Sequence, residues 1–166
     1  MLAAAVGAGN RTWCAYLSTQ GTNAVSARDR IGQGPWHNAK AILIARNVAE
    51  LHGDTGSETA RIGPNITTQE SLTEKGQMVN GRGDPPPNGH DMLTGTQPDG
   101  RAFPPGVDRT CQNWTSSRAG YAQVGHHDRS GGGNTSWNSS HSTMGCSQEN
   151  VRESAGLGRF YCFAIN

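Results

Sequence analysis

The sequence is short of apolar side chains and contains no long hydrophobic run. Hydrophobic residues make up 33% of the chain and aromatic residues 6%, whereas apolar residues counted with glycine account for about 45–50% of a typical soluble domain. The longest aliphatic stretch, residues 39–45, is interrupted by Lys40, and a membrane-spanning helix needs roughly 20 apolar residues. We therefore expect no membrane span, and we predict that residues 39–45 form a buried central strand.

The chain also lacks an excess of either charge. Its 14 basic and 13 acidic residues give a formal net charge of +1. Nucleic acids and anionic membranes are usually bound through clustered Lys and Arg side chains. This balance offers no such electrostatic footprint, so we expect no nucleic-acid partner.

Glycine, in contrast, is abundant, with 23 residues among 166. A chain of this length suits one domain with a buried core, and we find no internal repeat and no linker-like shift in composition. The many Gly, Ser, Thr and Asn residues are typical of loops and turns. We predict a single, loop-rich domain with modest regular structure.

The four cysteines are widely spaced in the sequence. No two of them are close together, so the short-spaced ligand pairs of structural zinc sites are absent and disulfides are favoured. Four cysteines allow three pairings, among which the sequence alone does not choose. Disulfides persist in oxidising compartments, which indicates a secreted, periplasmic or cell-surface protein.

Five short segments carry a resemblance to a known family. They resemble, in order, segments of the endostatin domain at the C-terminus of certain non-fibrillar collagens, and more closely a group of bacterial secreted proteins of unassigned function. The resemblance covers most of the chain from residue 2 onward. The segments are Trp13-Cys-Ala-Tyr-Leu-Ser, Leu93-Thr-Gly-Thr-Gln-Pro-Asp-Gly, Thr110-Cys-Gln-Asn-Trp-Thr, Gly145-Cys-Ser and Phe160-Tyr-Cys-Phe-Ala-Ile-Asn.

This resemblance implies an α+β, C-type-lectin-like fold with a twisted antiparallel sheet, one or two short helices and long loops. It also implies a disulfide between Cys111 and Cys146. The family's partner for Cys162 would lie just before Met1, so we expect the domain over residues 1–166 to lack its first few N-terminal residues. Cys14 stands where the family usually has arginine. Either Cys14 pairs with Cys162, or both thiols stay free.

A possible sugar site follows from the tripeptide Gln97-Pro98-Asp99. C-type lectins use this tripeptide to coordinate calcium and sugar hydroxyls, because an amide oxygen and a carboxylate are hard oxygen ligands. The expected second half, Trp137-Asn138-Ser139, lacks the usual carboxylate. The candidate ligand-binding residues are Gln97, Asp99, Trp137 and Asn138, and the alternative is that residues 98–100 form a simple turn.

A possible metal site follows from the histidine-rich loop near residue 126. His126, His127, Asp128 and His141 are the densest set of imidazoles and carboxylates in the chain, and such ligands suit zinc or another transition metal. Adjacent histidines generally point apart, however, so the alternative is a loop whose polar side chains bond the backbone. The pair His90-Asp91 is a further, equally ambiguous candidate.

We see no nucleophile elbow, phosphate-binding loop or paired histidines at helical spacing. The leading prediction is a secreted, non-enzymatic binding module for a glycan or another extracellular polymer, with calcium or zinc as possible cofactors. One alternative is a metal-dependent enzyme that uses His126, His127, Asp128 and His141. The other is a purely structural or adhesive domain.

Overall fold

A computed structural model describes residues 2–53, 66–131 and 134–165. All helices and strands in this part of the chain are short, with at most six residues in a helix and four in a strand. In chain order they are α1 Leu2–Ala5, β1 Trp13–Ala15, α2 Ala27–Arg30, β2 Trp36–His37, β3 Leu43–Ala45, α3 Val48–His52, β4 Asp91–Leu93, α4 Cys111–Trp114, β5 Gln123–His126, β6 His141–Ser142, α5 Gln148–Glu153, β7 Gly156–Arg159 and β8 Cys162–Ala164. The predicted mixed α+β class is therefore confirmed, although short helical segments are more numerous than the one or two expected.

The strands form three small sheets. The largest has the order β6-β5-β4-β7, with β4 antiparallel to β5 and parallel to β7. β1 pairs with β8 and β2 with β3, each as an antiparallel ribbon. Within the described residues, the prediction of one twisted antiparallel sheet is therefore wrong.

The predicted central strand at residues 39–45 shows why the sheets stay small. The side-chain oxygen of Asn38 accepts hydrogen bonds from the backbone N–H groups of Lys40 and Ile42, at 2.9 and 3.1 Å. An Asn side chain that binds the backbone two residues on favours a turn over a strand. The chain therefore turns over residues 38–42, and only Leu43–Ala45 remains extended, at β3.

Among the described residues, the apolar core combines four aromatic with six aliphatic side chains. Tyr16 and Trp137 lie at the centre with their ring centroids 4.9 Å apart, and Phe163 from β8 contacts Tyr16 at 5.8 Å. Large aromatic side chains bury much area each, which suits a chain with few apolar residues. The buried cluster consists of Tyr16, Ala27, Ile31, Trp36, Ile44, Ala45, Leu51, Ile66, Trp137 and Phe163.

The predicted disulfide between Cys111 and Cys146 is present. Cys111 begins α4, whose four residues have positive φ values between 48° and 65°, a left-handed backbone that costs about 1–2 kcal/mol per residue. Asp108 supports this turn by accepting hydrogen bonds from the N–H groups of Thr110 and Gln112, both at 2.8 Å. Linking residues 35 positions apart lowers the entropy of the unfolded chain and contributes about 3–4 kcal/mol.

Cys14 and Cys162 are free thiols, so of the two alternatives left open by the sequence the structure has the unpaired one. The register of the β1–β8 ribbon explains this. Cys14 lies opposite Phe163, and Cys162 lies opposite Ala15. Since successive side chains of a strand alternate between faces, the two thiols lie on opposite faces of the ribbon.

No helix among the described residues is both long enough and apolar enough to cross a membrane.

Candidate metal centre

The register of the four-stranded sheet brings three polar side chains to one face. Asp91, the first residue of β4, pairs directly with His126 of β5. His141 of β6 pairs with Val124, which lies two residues before His126 and so shares its face. Directly opposite side chains on antiparallel strands approach closely, so the backbone itself assembles Asp91, His126 and His141.

His90 completes the cluster from just outside β4. Because it precedes the strand, it does not have to follow the strand's alternation of faces. Its carbonyl oxygen accepts a hydrogen bond from the N–H of His127 at 3.2 Å. Its ring stacks on that of His126 with the centroids 4.1 Å apart.

A glycine in β5, Gly125, makes room for this arrangement. A Cβ atom at Gly125 would lie 2.0 Å from the carbonyl oxygen of Trp137 and 2.4 Å from the Cα of Asn138, so only glycine lets the backbone of residues 137–138 cross β5. Flanking hydrogen bonds hold that crossing, from His126 N to Ser136 O at 2.8 Å and from Ser140 N to Val124 O at 2.6 Å. The chain then continues directly into His141.

The three histidines converge on a single carboxylate oxygen. Their Nε2 atoms lie 3.1 Å (His90), 3.3 Å (His126) and 3.5 Å (His141) from Oδ1 of Asp91. One ligand atom from each of these four residues can be chosen so that all lie within 4.8 Å of one another. We refer to His90, Asp91, His126 and His141 as the His3Asp cluster.

Each histidine uses its other ring nitrogen as a donor to the protein. Nδ1 of His90 donates to Oδ1 of Asp128 at 3.2 Å, and Nδ1 of His141 donates to the carbonyl oxygen of Ser142 at 3.0 Å. Nδ1 of His126 lies 3.3 Å from Oγ of Ser140, whose own proton goes to the carbonyl of Asn134, so His126 is again the donor. In the neutral imidazoles, all three Nε2 atoms are therefore unprotonated, and each lies within 3.5 Å of Oδ1 of Asp91.

The side chain of Asp91 is buried, with 1% of its surface exposed. Neither carboxylate oxygen has a hydrogen-bond partner among the described residues, because the Nε2 approaches do not meet hydrogen-bond geometry. A buried carboxylate without compensation costs several kcal/mol. A nearby positive charge would offset this cost, and either protons on the histidines or a metal ion can supply it.

The pKa values of the cluster residues reflect the attraction between the Asp91 carboxylate and the imidazoles. Burial opposes ionisation of Asp91, but the three imidazoles outweigh it and hold the pKa of Asp91 well below its usual range. The Asp91 carboxylate in turn raises the pKa of His90 and of His141, while burial acts in the opposite direction on both. The lowered pKa favours the anionic form of Asp91, and this is the form that binds a metal.

The donor set and its spacing fit a small transition metal ion. Zinc bonds to imidazole nitrogen and carboxylate oxygen at about 2.0–2.1 Å in a tetrahedron, whose edges are then about 3.3–3.4 Å. The observed separations of 3.1–3.5 Å between Nε2 and Oδ1 bracket that value on the three edges that meet at Oδ1, and all four ligand atoms lie within 4.8 Å of one another. The fit is also favoured by the hydrogen bonds to Nδ1, since metal-binding histidines usually donate their second N–H to a carboxylate, carbonyl or water.

The four side chains of the cluster differ in exposure to solvent. The side chain of His141 is 44% exposed, whereas those of His90, Asp91 and His126 are 6%, 1% and 3% exposed. His141 belongs to the two-residue strand β6, which within the described part of the chain pairs with β5 alone. Solvent therefore reaches the cluster past His141.

Of the four residues predicted as metal ligands, the structure brings two together, His126 and His141. The next residue, His127, is fully buried and outside the cluster, and burial lowers its pKa. Asp128 lies outside the cluster: it accepts hydrogen bonds from Nδ1 of His90 and from the N–H groups of Arg82 and Ser130. The cluster contains His90 and Asp91 in place of the predicted His127 and Asp128.

The residues predicted to bind a sugar have internal contacts instead. Trp137 is a core residue, and the buried side-chain amide of Asn138 donates to Tyr16 Oη and to the carbonyl of Pro98, at 3.0 and 3.1 Å. Asp99 accepts hydrogen bonds from the backbone and guanidinium of Arg101, and the side chain of Gln97 donates to the carbonyl of Ala102. This geometry corresponds to the turn that the sequence left as the alternative.

No protein-family model, curated protein or solved structure matches this chain. The resemblance to the endostatin domain therefore stays a prediction from the sequence.

Proposed function

We propose that this protein is an extracytoplasmic metal-binding protein whose His3Asp cluster holds one divalent transition metal ion, with zinc the first candidate. The ligands would be Nε2 of His90, His126 and His141 and a carboxylate oxygen of Asp91. The observation that carries the proposal is the convergence of three Nε2 atoms on a buried carboxylate, while every Nδ1 is engaged elsewhere.

The donor set favours zinc over calcium, the other cofactor considered from the sequence. Calcium takes six to eight oxygen ligands, and the cluster offers one carboxylate. Imidazole nitrogen suits zinc, copper, nickel and iron. A calcium site would therefore need donors that the cluster does not contain.

The same site supports a role in stability. A bound ion would join β4, β5 and β6 to the residue that precedes β4, and these segments are separated in sequence by up to 51 positions between His90 and His141. A ligand that binds only the folded state stabilises it by about 2.7 kcal/mol at a concentration 100 times its Kd. In a chain with so few apolar residues, that contribution is substantial.

The proposed location and fold family do not rest on the His3Asp cluster. The Cys111–Cys146 disulfide is compatible with an oxidising, extracytoplasmic compartment. The C-type-lectin-like fold rests on the sequence resemblance alone. Binding of a glycan or extracellular polymer stays a prediction, and the internal contacts of Trp137 and Asn138 give it no support.

The test is a titration of chelator-stripped protein with zinc and with calcium, followed by calorimetry and by Tm. We expect one zinc ion per chain and a rise in Tm with zinc, and neither with calcium. The variants His126→Ala and Asp91→Asn should lose zinc binding, with circular dichroism to show that they fold. His37→Ala is the matched control because His37 is an exposed histidine outside the cluster.

Absence of zinc binding by the wild-type protein would overturn the proposal. So would zinc binding that survives unchanged in both His126→Ala and Asp91→Asn, since the ion would then be elsewhere.

A further inference from the structure

We infer that His141 is an exchangeable ligand of the metal centre, and that it yields its coordination position to a small external donor from solvent. The inference rests on the proposed function and deepens it. In the exchanged form the ion is held by Nε2 of His90, a carboxylate oxygen of Asp91 and Nε2 of His126. The site is then a binding site for a small anionic or nitrogen-donor ligand as well as for the ion.

The four ligands differ first in burial. The side chains of His90, Asp91 and His126 are at most 6% exposed, and that of His141 is 44% exposed. Displacing any of the first three would move a buried polar group inside the fold. Displacing His141 moves a side chain that is already partly hydrated, so its imidazole can exchange metal contact for water at little cost.

The ligands differ also in how the protein orients them. His90 is held by Asp128, which is 38 positions away and is itself held by the N–H of Arg82 at 2.7 Å and the hydroxyl of Ser130 at 2.8 Å. Among the described residues, Nδ1 of His141 bonds only to the carbonyl of the next residue, Ser142. A bond within one dipeptide moves together with the ring and does not anchor it to the rest of the fold.

The supporting backbone adds to this difference. His141 lies in the two-residue edge strand β6, while His126 lies in β5, which has neighbours on both sides. Edge positions open at lower free energy than central strands. Its Nε2 is also the farthest of the three from Oδ1 of Asp91, at 3.5 Å.

The three remaining ligands are sufficient to hold an ion. Two imidazoles and one carboxylate are a ligand set that metalloproteins use with a further position left for water or another ligand. Exposure of His141 directs the vacated position to solvent. The external ligand must be a small molecule, because the buried side chains of His90, Asp91 and His126 occupy the other coordination positions.

The test uses the full chain loaded with Co²⁺, whose visible absorption reports ligand number and exchange. We expect His141→Ala to bind one Co²⁺ with an affinity within about tenfold of the wild type, because three protein ligands suffice in open sites. Azide or imidazole at millimolar concentration should then change the spectrum of His141→Ala, and of the wild type at higher concentration. His126→Ala should lose affinity by roughly 100-fold or more, and His37→Ala should behave as the wild type.

The inference is overturned if His141→Ala loses Co²⁺ as completely as His126→Ala while remaining folded by circular dichroism. It is overturned too if neither azide nor imidazole changes the spectrum of cobalt-loaded His141→Ala. Both of these outcomes leave the proposed function standing, because the wild type still binds the ion. Failure of the wild type to bind Co²⁺ or Zn²⁺ overturns both.

Discussion

At the residue scale, each histidine of the His3Asp cluster has one ring nitrogen assigned to the protein and the other turned toward Asp91. Asp128 is the clearest case of a residue that acts on the cluster without belonging to it. Burial opposes its ionisation, yet the N–H groups of Arg82 and Ser130 and the hydroxyl of Ser130 hold the pKa of Asp128 below its usual value. As an anion it fixes the Nδ1–H tautomer of His90 and leaves Nε2 free for a metal.

This role predicts the effect of Asp128→Asn. The amide preserves the size of the side chain but removes the negative charge that orients His90, so the zinc Kd should rise about 10–100-fold. Competition with a chelator of known affinity measures it. The matched control is Asp99→Asn, which removes a carboxylate bound to Arg101 in a surface turn and should leave the Kd unchanged.

A wild-type zinc affinity in folded Asp128→Asn would mean that Asp128 serves only the local backbone. A complete loss of zinc binding would instead point to a direct ligand role for Asp128.

At the scale of the elements, the cluster depends on a crossing of two chain segments. β5 supplies His126, and the segment that passes over Gly125 leads into His141 of β6. Neither element is long enough to be rigid by itself. Their relative position is set by the close backbone approach that glycine permits at residue 125.

Gly125→Ala tests this crossing. The added Cβ would meet backbone atoms of Trp137 and Asn138 at 2.0–2.4 Å, and backbone cannot rotate away as a flexible side chain can. We expect a loss of about 2 kcal/mol or more in the free energy of unfolding, measured with urea, together with weaker zinc binding as His141 is displaced.

Gly106→Ala provides the comparison. Gly106, unlike Gly125, has a positive φ, but a Cβ there meets nothing within 4 Å, so the expected loss is about 1 kcal/mol from the backbone conformation alone, with unchanged zinc affinity. Equal effects of the two substitutions would show that the close approach at Gly125 is unimportant.

At the scale of the whole molecule, stability comes from several modest sources. The aromatic core is small, the sheets have at most four short strands, and the Cys111–Cys146 disulfide closes the last third of the chain. The His3Asp cluster adds a source that depends on pH, because protons and a metal ion compete for the same histidines.

The direction of this dependence follows from the pKa shifts. The pKa values of His90 and His141 are raised in the folded protein, so their contribution to the metal-free protein is complete below the unfolded value of about 6.5 and is lost as the pH rises through the folded values. With zinc present, stability should instead rise with pH, since deprotonated histidines bind the ion better.

We therefore expect the chelator-treated protein to lose Tm as the pH is raised above about 6.5, and the rise in Tm caused by zinc to grow over the same interval. Asp91→Asn removes the carboxylate that raises the pKa of both histidines, so the fall in Tm of the metal-free protein above pH 6.5 should become smaller in this variant. A fall in Tm that came from titration of other groups, including His127, would persist. A metal-free wild type and an Asp91→Asn variant with the same pH profile above 6.5 would contradict this account.

Part of the fold was predictable from local chemistry. The paucity of apolar residues and the abundance of glycine predicted a loop-rich chain with modest regular structure, whereas the α+β class was implied by the resemblance to the endostatin domain. The sheet arrangement was not predictable in the same way. The stretch at residues 39–45 has the composition of a strand, but one hydrogen-bonding side chain, that of Asn38, turns most of it away from any sheet.

The candidate site divides in the same manner. The sequence alone identified His126 and His141 as candidate metal ligands, and the family resemblance implied the Cys111–Cys146 disulfide. Only the tertiary structure decided that His90 and Asp91, rather than His127 and Asp128, complete the cluster. Asp91 pairs with His126 through strand register across 35 residues, which adjacency in sequence does not reveal. The alternation of faces along the chain separates the neighbouring His126 and His127.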